Sequence, residues 1–414
     1  MTMKTNVNFV PEYKNNKLIE AVGDICCPLE LSKLLKNVPN PPPDNLEIPL
    51  HLRKHFVSNV RSLFIPNSET IKVAETIDLM IRQGYVKRKA GTSGFYGMNK
   101  EKFNLNAFSS CASITGISGV GKSVAIENTL NILYPQVYEH SNFPGFLTGF
   151  KQLLWIKVDA PETGKLSDLA INLMIATDAA LGTDHFLETI TRNNYKSQKS
   201  GKSLFNEWYL IAKKYQIGII VIDEIQNLFK QARLSERNKK RNSDTRLELK
   251  IVEDETIKQL LTANNSWMIP LLVSGTLDGI AALNTRLSTG ERLVTAGYHE
   301  FKYPGSEKDK FFADTFFPTL CKYQYVNKKL PPSEEFCSLL YNLTCGIPRI
   351  LVALWIAAHR VSAEMGADEL NFNHFIVASN TYLRPLKPAI AALKSNDPRK
   401  LNLYEDLLPR DFIF

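Results

Sequence analysis

One short segment in the first third of the chain limits its fold more than any other feature. Gly116 to Ser123 has the sequence GISGVGKS, which matches the pattern G-x-x-x-x-G-K-[S/T] at every fixed position. An apolar segment that ends in Ser113-Ile114-Thr115 precedes it, and a helical pattern follows it. Glycines allow consecutive backbone N–H groups to converge on phosphate oxygens, and the positive end of the next helix adds to this attraction. The segment therefore predicts a phosphate-binding loop between a strand and a helix.

Two side chains at the end of this loop have predicted roles. Lys122 is expected to reach the β- and γ-phosphates of a nucleotide, and the Ser123 hydroxyl is expected to bind Mg²⁺. The predicted nucleotide-binding residues are Gly116, Ile117, Ser118, Gly119, Val120, Gly121, Lys122, Ser123 and Val124.

A second motif, Gly218 to Glu224 (GIIVIDE), supplies two carboxylates. So continuous an apolar run is typical of a strand buried on both faces, and parallel α/β sheets bind ligands at the C-terminal ends of such strands. Asp223 is suited to hold Mg²⁺ through water, and Glu224 is suited to polarise the attacking water as a general base. Since the guanine-specifying pattern N-K-x-D is absent from the sequence, the predicted cofactors are ATP and Mg²⁺.

Further polar residues follow the pattern of AAA+ ATPases. The strand-like segment that begins at Pro270 ends in Ser274 and Thr276, where a sensor 1 side chain contacts the γ-phosphate or its water. Gly346-Ile347-Pro348-Arg349 predicts a helix start from which Arg349 reaches the nucleotide as sensor 2. Arg286 and Arg292 are alternative candidates for an arginine finger that enters a neighbouring subunit's site.

The order of apolar runs predicts the architecture. Strand-like runs at 113–115, 153–158, 218–222 and 269–273 alternate with helical stretches, which indicates an α/β fold with a parallel sheet flanked by helices. The predicted organisation is a mostly helical N-terminal extension (1–105), an AAA+ P-loop core (106–305), a C-terminal helical lid (306–383) and a tail (384–414).

Composition excludes several protein classes. The longest apolar run, Ile350 to Ala358, is about half of what a membrane helix needs, and the first ten residues lack an apolar signal core. The six cysteines show no CxxC spacing, so we expect reduced thiols in the cytoplasm. The net charge of +8 permits a polyanionic partner without requiring one.

The second motif continues as IDEIQNL (Ile222 to Leu228). This segment resembles the sequence that the TnsC/TniB family of AAA+ transposition regulators has at the same place. Asn16 to Ala21, Arg82 to Val86, Gly275-Thr276 and Tyr404 to Pro409 also resemble family segments, in the same order along most of the chain.

The resemblance implies a function and a set of partners. It implies an ATPase that oligomerises on double-stranded DNA as a ring or filament, receives a target-selection protein of the TniQ/TnsD type and activates a DDE transposase. The extension (1–105) would then dock a partner or the target selector, and the tail (384–414) could dock the transposase. ATP hydrolysis would act as a switch. Two other classes stay open: a replication-initiator or helicase-loader ATPase, and a remodelling or signalling ATPase that binds no DNA.

Three basic stretches are candidates for DNA contact: Arg82 to Lys102, Thr191 to Lys202, and Lys230 to Lys250. The second is favoured because it contains no acidic residue and lies between the two nucleotide motifs. Its basic residues are Arg192, Lys196, Lys199 and Lys202. Since no recognition helix is evident, we expect contacts to the phosphate backbone that do not depend on base sequence.

Overall fold

The structure of the chain is a computed structural model. It describes residues 9–96, 110–195, 199–228, 256–261, 264, 268–277, 279–280 and 291–401. The described residues fall into two compact units. The sheet unit takes its residues from Met1–Leu31, Lys72–Thr115 and Ile126–His299, and the helical unit takes them from Ser32–Ile71, Gly116–Ala125 and Glu300–Phe414.

The elements follow one another in three groups. The N-terminal helices are α1 (Lys17–Glu20), α2 (Pro28–Leu34), α3 (Leu50–Phe56), α4 (Ser68–Val86) and α5 (Ser93–Tyr96). The middle group is β1 (Cys111–Gly116), α6 (Lys122–Leu133), β2 (Val137–His140), β3 (Phe150–Leu153), β4 (Trp155–Asp159), α7 (Leu166–Leu181), α8 (Leu187–Tyr195), α9 (Gly201–Lys214), β5 (Ile219–Asp223), β6 (Leu271–Gly275) and β7 (Gly297–Phe301). The C-terminal helices are α10 (Phe317–Leu320), α11 (Glu334–Thr344), α12 (Pro348–Glu364), α13 (Phe372–Thr381), α14 (Lys387–Ser395) and α15 (Pro398–Leu401).

The main sheet has five strands in the order β4-β5-β6-β1-β7. Three neighbouring pairs in this sheet are parallel: β4 with β5, β5 with β6, and β6 with β1. Every residue of β1, β5 and β6 is buried, which explains why these segments are apolar without a polar alternation. The predicted α/β class with a parallel sheet is confirmed.

The predicted strand at 153–158 is divided between two sheets. Leu153 ends β3, which pairs antiparallel with β2 in a separate two-stranded sheet, whereas Trp155 begins the parallel pairing of β4 with β5. The apolar run continues across Leu154 because that residue is also buried. The apolar run therefore reflects burial, and it does not show where the chain passes from one sheet to the other.

Helices α7 and α9 cover the β4–β5 side of the core. Leu166, Ala170, Leu173 and Thr177 lie on one buried stripe of α7, at the spacing of an amphipathic helix. From α9, Trp208 is fully buried and its indole N–H donates to the Thr177 hydroxyl over 2.9 Å. The stripe and the satisfied indole hold the two helices together in the sheet unit's core.

The helical unit has its own apolar core. Phe336 of α11, Trp355 of α12 and Phe375 of α13 are completely buried and lie within about 6 Å of one another, ring centre to ring centre. Val57 and Val60, far upstream in the chain, belong to the same cluster. The segment Ser32–Ile71 therefore packs with the C-terminal helices.

Among the described residues, no single helix is long and apolar enough to cross a membrane. Only α11 and α12 taken together have a suitable length and composition, and the chain bends by 112° between them.

Candidate nucleotide-binding site

The loop from Gly116 to Ser123 joins β1 to α6, as the motif predicts. Gly119 and Gly121 have φ angles of +87° and +104°, which favour glycine. A Cβ atom on Gly119 would also lie 3.1 Å from the Cβ of Arg349. The Lys122 ammonium is mostly buried and donates to the carbonyl oxygens of Gly116 and Ile117, over 2.7 and 3.0 Å. Lys122 therefore lies against the phosphate loop, where it would contact the phosphates of a nucleotide.

The start of α6 provides the other part of a phosphate site. The first turn of a helix has backbone N–H groups without partners in the helix, and they attract anions. Ser123 lies in this first turn and is half-buried, while Val124 is exposed. The donors, the lysine and the glycine angles together fit a nucleotide phosphate.

Helix α12 brings Arg349 to this loop. Pro348 occupies the first helical position, where its missing N–H costs nothing. The backbone N–H of Arg349 donates to the carbonyl oxygen of Gly119 over 3.3 Å, and its side chain is exposed. The predicted sensor 2 arginine is thus adjacent to the phosphate loop within the helical unit.

The end of β5 carries a buried carboxylate with a cation beside it. Asp223 is 2% exposed, and its Oδ1 accepts from the backbone N–H of Glu224 over 2.9 Å. Lys157 of β4 has its Nζ 3.6 Å from Asp223 Oδ2 and 2.8 Å from Glu127 Oε1. Burial lowers the pKa of Lys157, but Glu127, Asp223 and Asp159 outweigh it and raise the pKa above its ordinary value.

Glu224 has a different environment from Asp223. Its side chain is exposed, and its backbone has φ of +52°, an uncommon value for a residue with a side chain. The amide of Gln226 donates to Glu224 Oε2. A carboxylate at this place can accept a proton from water, which is what a general base must do.

The ends of β6 and β1 hold two polar atoms without partners. Ser274 Oγ and Thr115 Oγ1 are buried, and neither has a hydrogen-bond partner among the described residues. The pairing of Thr115 with Gly275, and of Asp159 with Asp223, puts the C-terminal ends of these strands at one edge of the sheet. Buried hydroxyls without partners are costly, so each of them could accept a polar ligand or water, and the register puts the two on opposite faces of the sheet.

Comparison with known proteins agrees with this geometry. Residues 109–276 match the family model described as "AAA domain", a segment that contains the phosphate loop, Asp223, Glu224 and Ser274. This segment is therefore similar in sequence to AAA domains. No curated protein sequence matches the chain.

Similar solved structures include ORC and RuvB proteins. The Aeropyrum pernix ORC2 protein in ADPNP–ADP complexes is 12% identical, with 71% of this chain and 68% of that chain covered and a TM-score of 0.40. Thermotoga maritima RuvB T158V is 12% identical (82% and 72% covered, TM-score 0.37), and Drosophila ORC bound to DNA is 10% identical (85% and 65% covered, TM-score 0.37). At these values the similarity carries no information about this chain's partners.

The remaining predicted residues are described in part. Thr276, the second sensor 1 candidate, is almost buried, and its backbone N–H donates to Gln226 Oε1 over 3.1 Å. Arg292 is exposed just before β7. Arg286 lies outside the described residues, so the arginine finger stays a prediction with two candidates.

The favoured basic stretch is described in part. The side chain of Arg192 and all of Lys196 lie outside the described residues. Lys199 is bound to Glu207 over 2.7 Å, and Lys202 is exposed. Burial raises the pKa of Glu207, but the hydrogen bonds from Lys199 and Thr189 outweigh it and lower the pKa. Lys199 is therefore partly neutralised, and Lys202 is the better candidate for a phosphate contact.

The first basic stretch loses two of its candidates. Arg82 is completely buried and bonded to Asp78 over 2.8 Å, and Arg88 is 4% exposed and donates to the carbonyl oxygen of Ile217 over 2.6 Å. These two arginines are bonded within the sheet unit and are not exposed for DNA contacts. The stretch Lys230 to Lys250 and the tail segment Tyr404 to Pro409 lie outside the described residues.

Two residues near the carboxylates were not predicted to have a role. Lys157 follows no recognisable motif, and only the pairing of β4 with β5 brings it to Asp223. Gln226 is part of the segment IDEIQNL, but its sequence position alone did not indicate its contacts with Glu224 and Thr276.

Proposed function

We propose that this AAA domain binds ATP with Mg²⁺ and hydrolyses it to ADP and phosphate. The observation that carries the proposal is the phosphate loop itself: its glycine angles, its buried Lys122 and the contact of Gly119 with Arg349. Such a loop at the start of a helix suits the phosphates of a nucleotide. Arg349 supplies a permanent positive charge beside it.

Hydrolysis would depend on side chains at the ends of the strands. Glu224 takes a proton from the water that attacks the γ-phosphate, while Ser274 and Thr276 contact that phosphate or the water. Ser123 and Asp223 would hold Mg²⁺, which neutralises charge on the phosphates when it is bound. An arginine finger, Arg286 or Arg292, would come from a neighbouring subunit.

Two substitutions test this activity. Lys122→Ala is expected to abolish binding of a fluorescent ATP analogue, because the phosphates lose their principal cation. Glu224→Gln is expected to keep binding but to lower phosphate release by about 100-fold or more, which is typical for loss of a general base. Lys33→Ala, an exposed lysine elsewhere, is the control and should change neither. A Glu224→Gln protein that cannot bind the analogue would contradict the role of Glu224.

We further propose that the ATPase regulates DNA transposition. The support is the resemblance of IDEIQNL and four other segments to the TnsC/TniB family, together with a net charge of +8. On this proposal the protein assembles on duplex DNA through backbone contacts, receives a TniQ/TnsD-type target selector and activates a DDE transposase. ATP hydrolysis ends the active state.

The decisive measurement is fluorescence anisotropy of labelled duplex DNA with ATPγS, ADP or no nucleotide, over a range of salt concentrations. We expect tight, salt-sensitive binding that is independent of base sequence and occurs only with ATPγS. Absence of binding under all three conditions would refute the transposition proposal and favour a remodelling or signalling ATPase.

A further inference from the structure

Gln226 connects the proposed general base to the end of strand β6. It lies in the short 3-10 turn Ile225–Leu228, directly after β5. Its side-chain N–H donates to Glu224 Oε2, and its side-chain oxygen accepts from the backbone N–H of Thr276 over 3.1 Å. One amide therefore contacts both the predicted base and the strand end that carries the predicted sensor hydroxyls.

Two glycines leave the space that this connection requires. A Cβ atom on Gly275 would lie 2.7 Å from the side-chain oxygen of Gln226 and 2.6 Å from Ile225 Cγ2. A Cβ atom on Gly279 would lie 2.8 Å from the Cβ of Gln226. Both distances are shorter than ordinary contacts, so a larger residue at either position would displace the glutamine.

The chemistry of the contact requires a primary amide of this length. The side chain donates to Glu224 and accepts from the N–H of Thr276, so its two ends must differ. An ionised glutamate has no donor, methionine has neither strong donor nor strong acceptor, and asparagine is shorter by one methylene group. The amide occupies one oxygen of Glu224 and leaves the other for water.

We propose that Gln226 is a positioning residue for Glu224, which it orients for proton abstraction and links to the end of β6. The inference rests on the proposed ATPase activity. It adds that the orientation of the base depends on Thr276, so a ligand that contacts Thr276 acts on the base through the Gln226 side chain. A purely structural link between the turn and β6 would affect stability alone.

The test compares Gln226→Met and Gln226→Glu with the wild-type protein and with Gln83→Met, an exposed glutamine on α4 that serves as the matched control. We would measure ATP-analogue binding, kcat from pH 5.5 to 8.5 and thermal unfolding. Gln226→Met should lower kcat by about tenfold or more with binding unchanged, because the variant cannot make the hydrogen bond to the charged group. Gln83→Met should behave like the wild type.

Gln226→Glu distinguishes a positioning role from a purely structural one, because only a positioning role predicts a change in the pH optimum of kcat. At high pH two carboxylates face each other, and the repulsion should make kcat low. As the pH falls, the pair takes up one shared proton, so one carboxyl group donates again while the other remains a base. We therefore expect the pH optimum of Gln226→Glu to lie below that of the wild type, and Gln226→Met to show no such recovery.

Either of two results would overturn the inference. One is a Gln226→Met protein with the kcat and pH profile of the wild type. In the other, both variants lose kcat in proportion to a lowered melting temperature, and the pH optimum of kcat in Gln226→Glu stays at the wild-type value. A wild-type protein that neither binds nor hydrolyses ATP would instead overturn the proposed function, and this inference with it.

Discussion

At the scale of single residues, the electrostatic environment of Asp223 comes from the neighbouring strand. The side chain of Lys157 is only 16% exposed and has three carboxylates around it, those of Glu127, Asp159 and Asp223. A buried carboxylate loses its hydration, and a nearby cation offsets part of that cost. Lys157 therefore offsets part of the cost of burying the Asp223 side chain inside the sheet.

Replacement of Lys157 tests this role. Lys157→Met keeps most of the side-chain volume but removes the charge, so we expect the free energy of unfolding to fall by about 1–2 kcal/mol. Urea denaturation with and without Mg²⁺ and ATP measures the effect, and the bound cation should restore part of the stability. Lys151→Met, at an exposed ion pair with Glu139, should change stability by less than about 0.5 kcal/mol. Equal effects of the two substitutions would contradict the assignment.

At the scale of elements, α12 contributes to the candidate site at its first turn and to the helical unit's core along its length. Arg349 in the first turn contacts the loop, whereas Leu351, Leu354 and Trp355 are fully buried. Further along, the Nδ1–H of His359 donates to the carbonyl oxygen of Trp355 over 2.8 Å. Its Nε2 accepts from the backbone N–H of Tyr325 over 3.1 Å. Both contacts require a neutral imidazole.

The neutral histidine makes α12 sensitive to acid. Burial lowers the pKa of His359 to about 4, well below its ordinary value of 6.5, and the hydrogen bond to Trp355 opposes this only in part. The unfolded chain therefore binds a proton that the folded chain does not, between about pH 6.5 and pH 4. The stabilising contribution is present above pH 6.5 and disappears as the pH falls through this range.

We expect this loss of stability to reach on the order of 3 kcal/mol at pH 4, from about 1.4 kcal/mol for each unit of pKa difference. His359→Gln cannot titrate, so its unfolding free energy should depend less steeply on pH between 6.5 and 4. Urea denaturation at a series of pH values measures the two slopes. His55→Gln, at an exposed histidine of α3, is the control, and identical slopes for His359→Gln and the wild type would refute the prediction.

At the scale of the whole molecule, the net charge of +8 is consistent with the proposed assembly on DNA, because DNA is a polyanion. A single subunit needs few phosphate contacts, because an oligomer multiplies them. Of the favoured basic residues whose side chains are described, Lys202 is exposed and Lys199 is bound to Glu207.

Lys202 should therefore contribute more to DNA binding than Lys199. Lys202→Ala is expected to weaken duplex binding equally on all base sequences. It should also make the slope of log K against log salt concentration shallower by roughly 0.9 for each phosphate that is no longer neutralised. Lys199→Ala should have a smaller effect, since its charge is already shared. Anisotropy titrations with ATPγS at several salt concentrations measure both, and unchanged affinity after Lys202→Ala would place the DNA on another surface.

The sequence alone determined the local parts of this protein. A glycine-rich loop between a strand and a helix, and a buried strand that ends in Asp223 and Glu224, have strict local requirements of backbone angle, apolarity and charge. Those requirements are visible in a few consecutive residues, and they predicted the parallel α/β class and the phosphate loop.

Which distant residues meet depends on the tertiary fold. The register of β4 against β5 brings Lys157 to Asp223, and the turn after β5 brings Gln226 to Thr276. The packing of Val57 with the C-terminal helices and the burial of Arg82 have the same origin. These contacts depend on strand order and on packing between residues that are far apart in the chain. Short sequence patterns do not predict either of them.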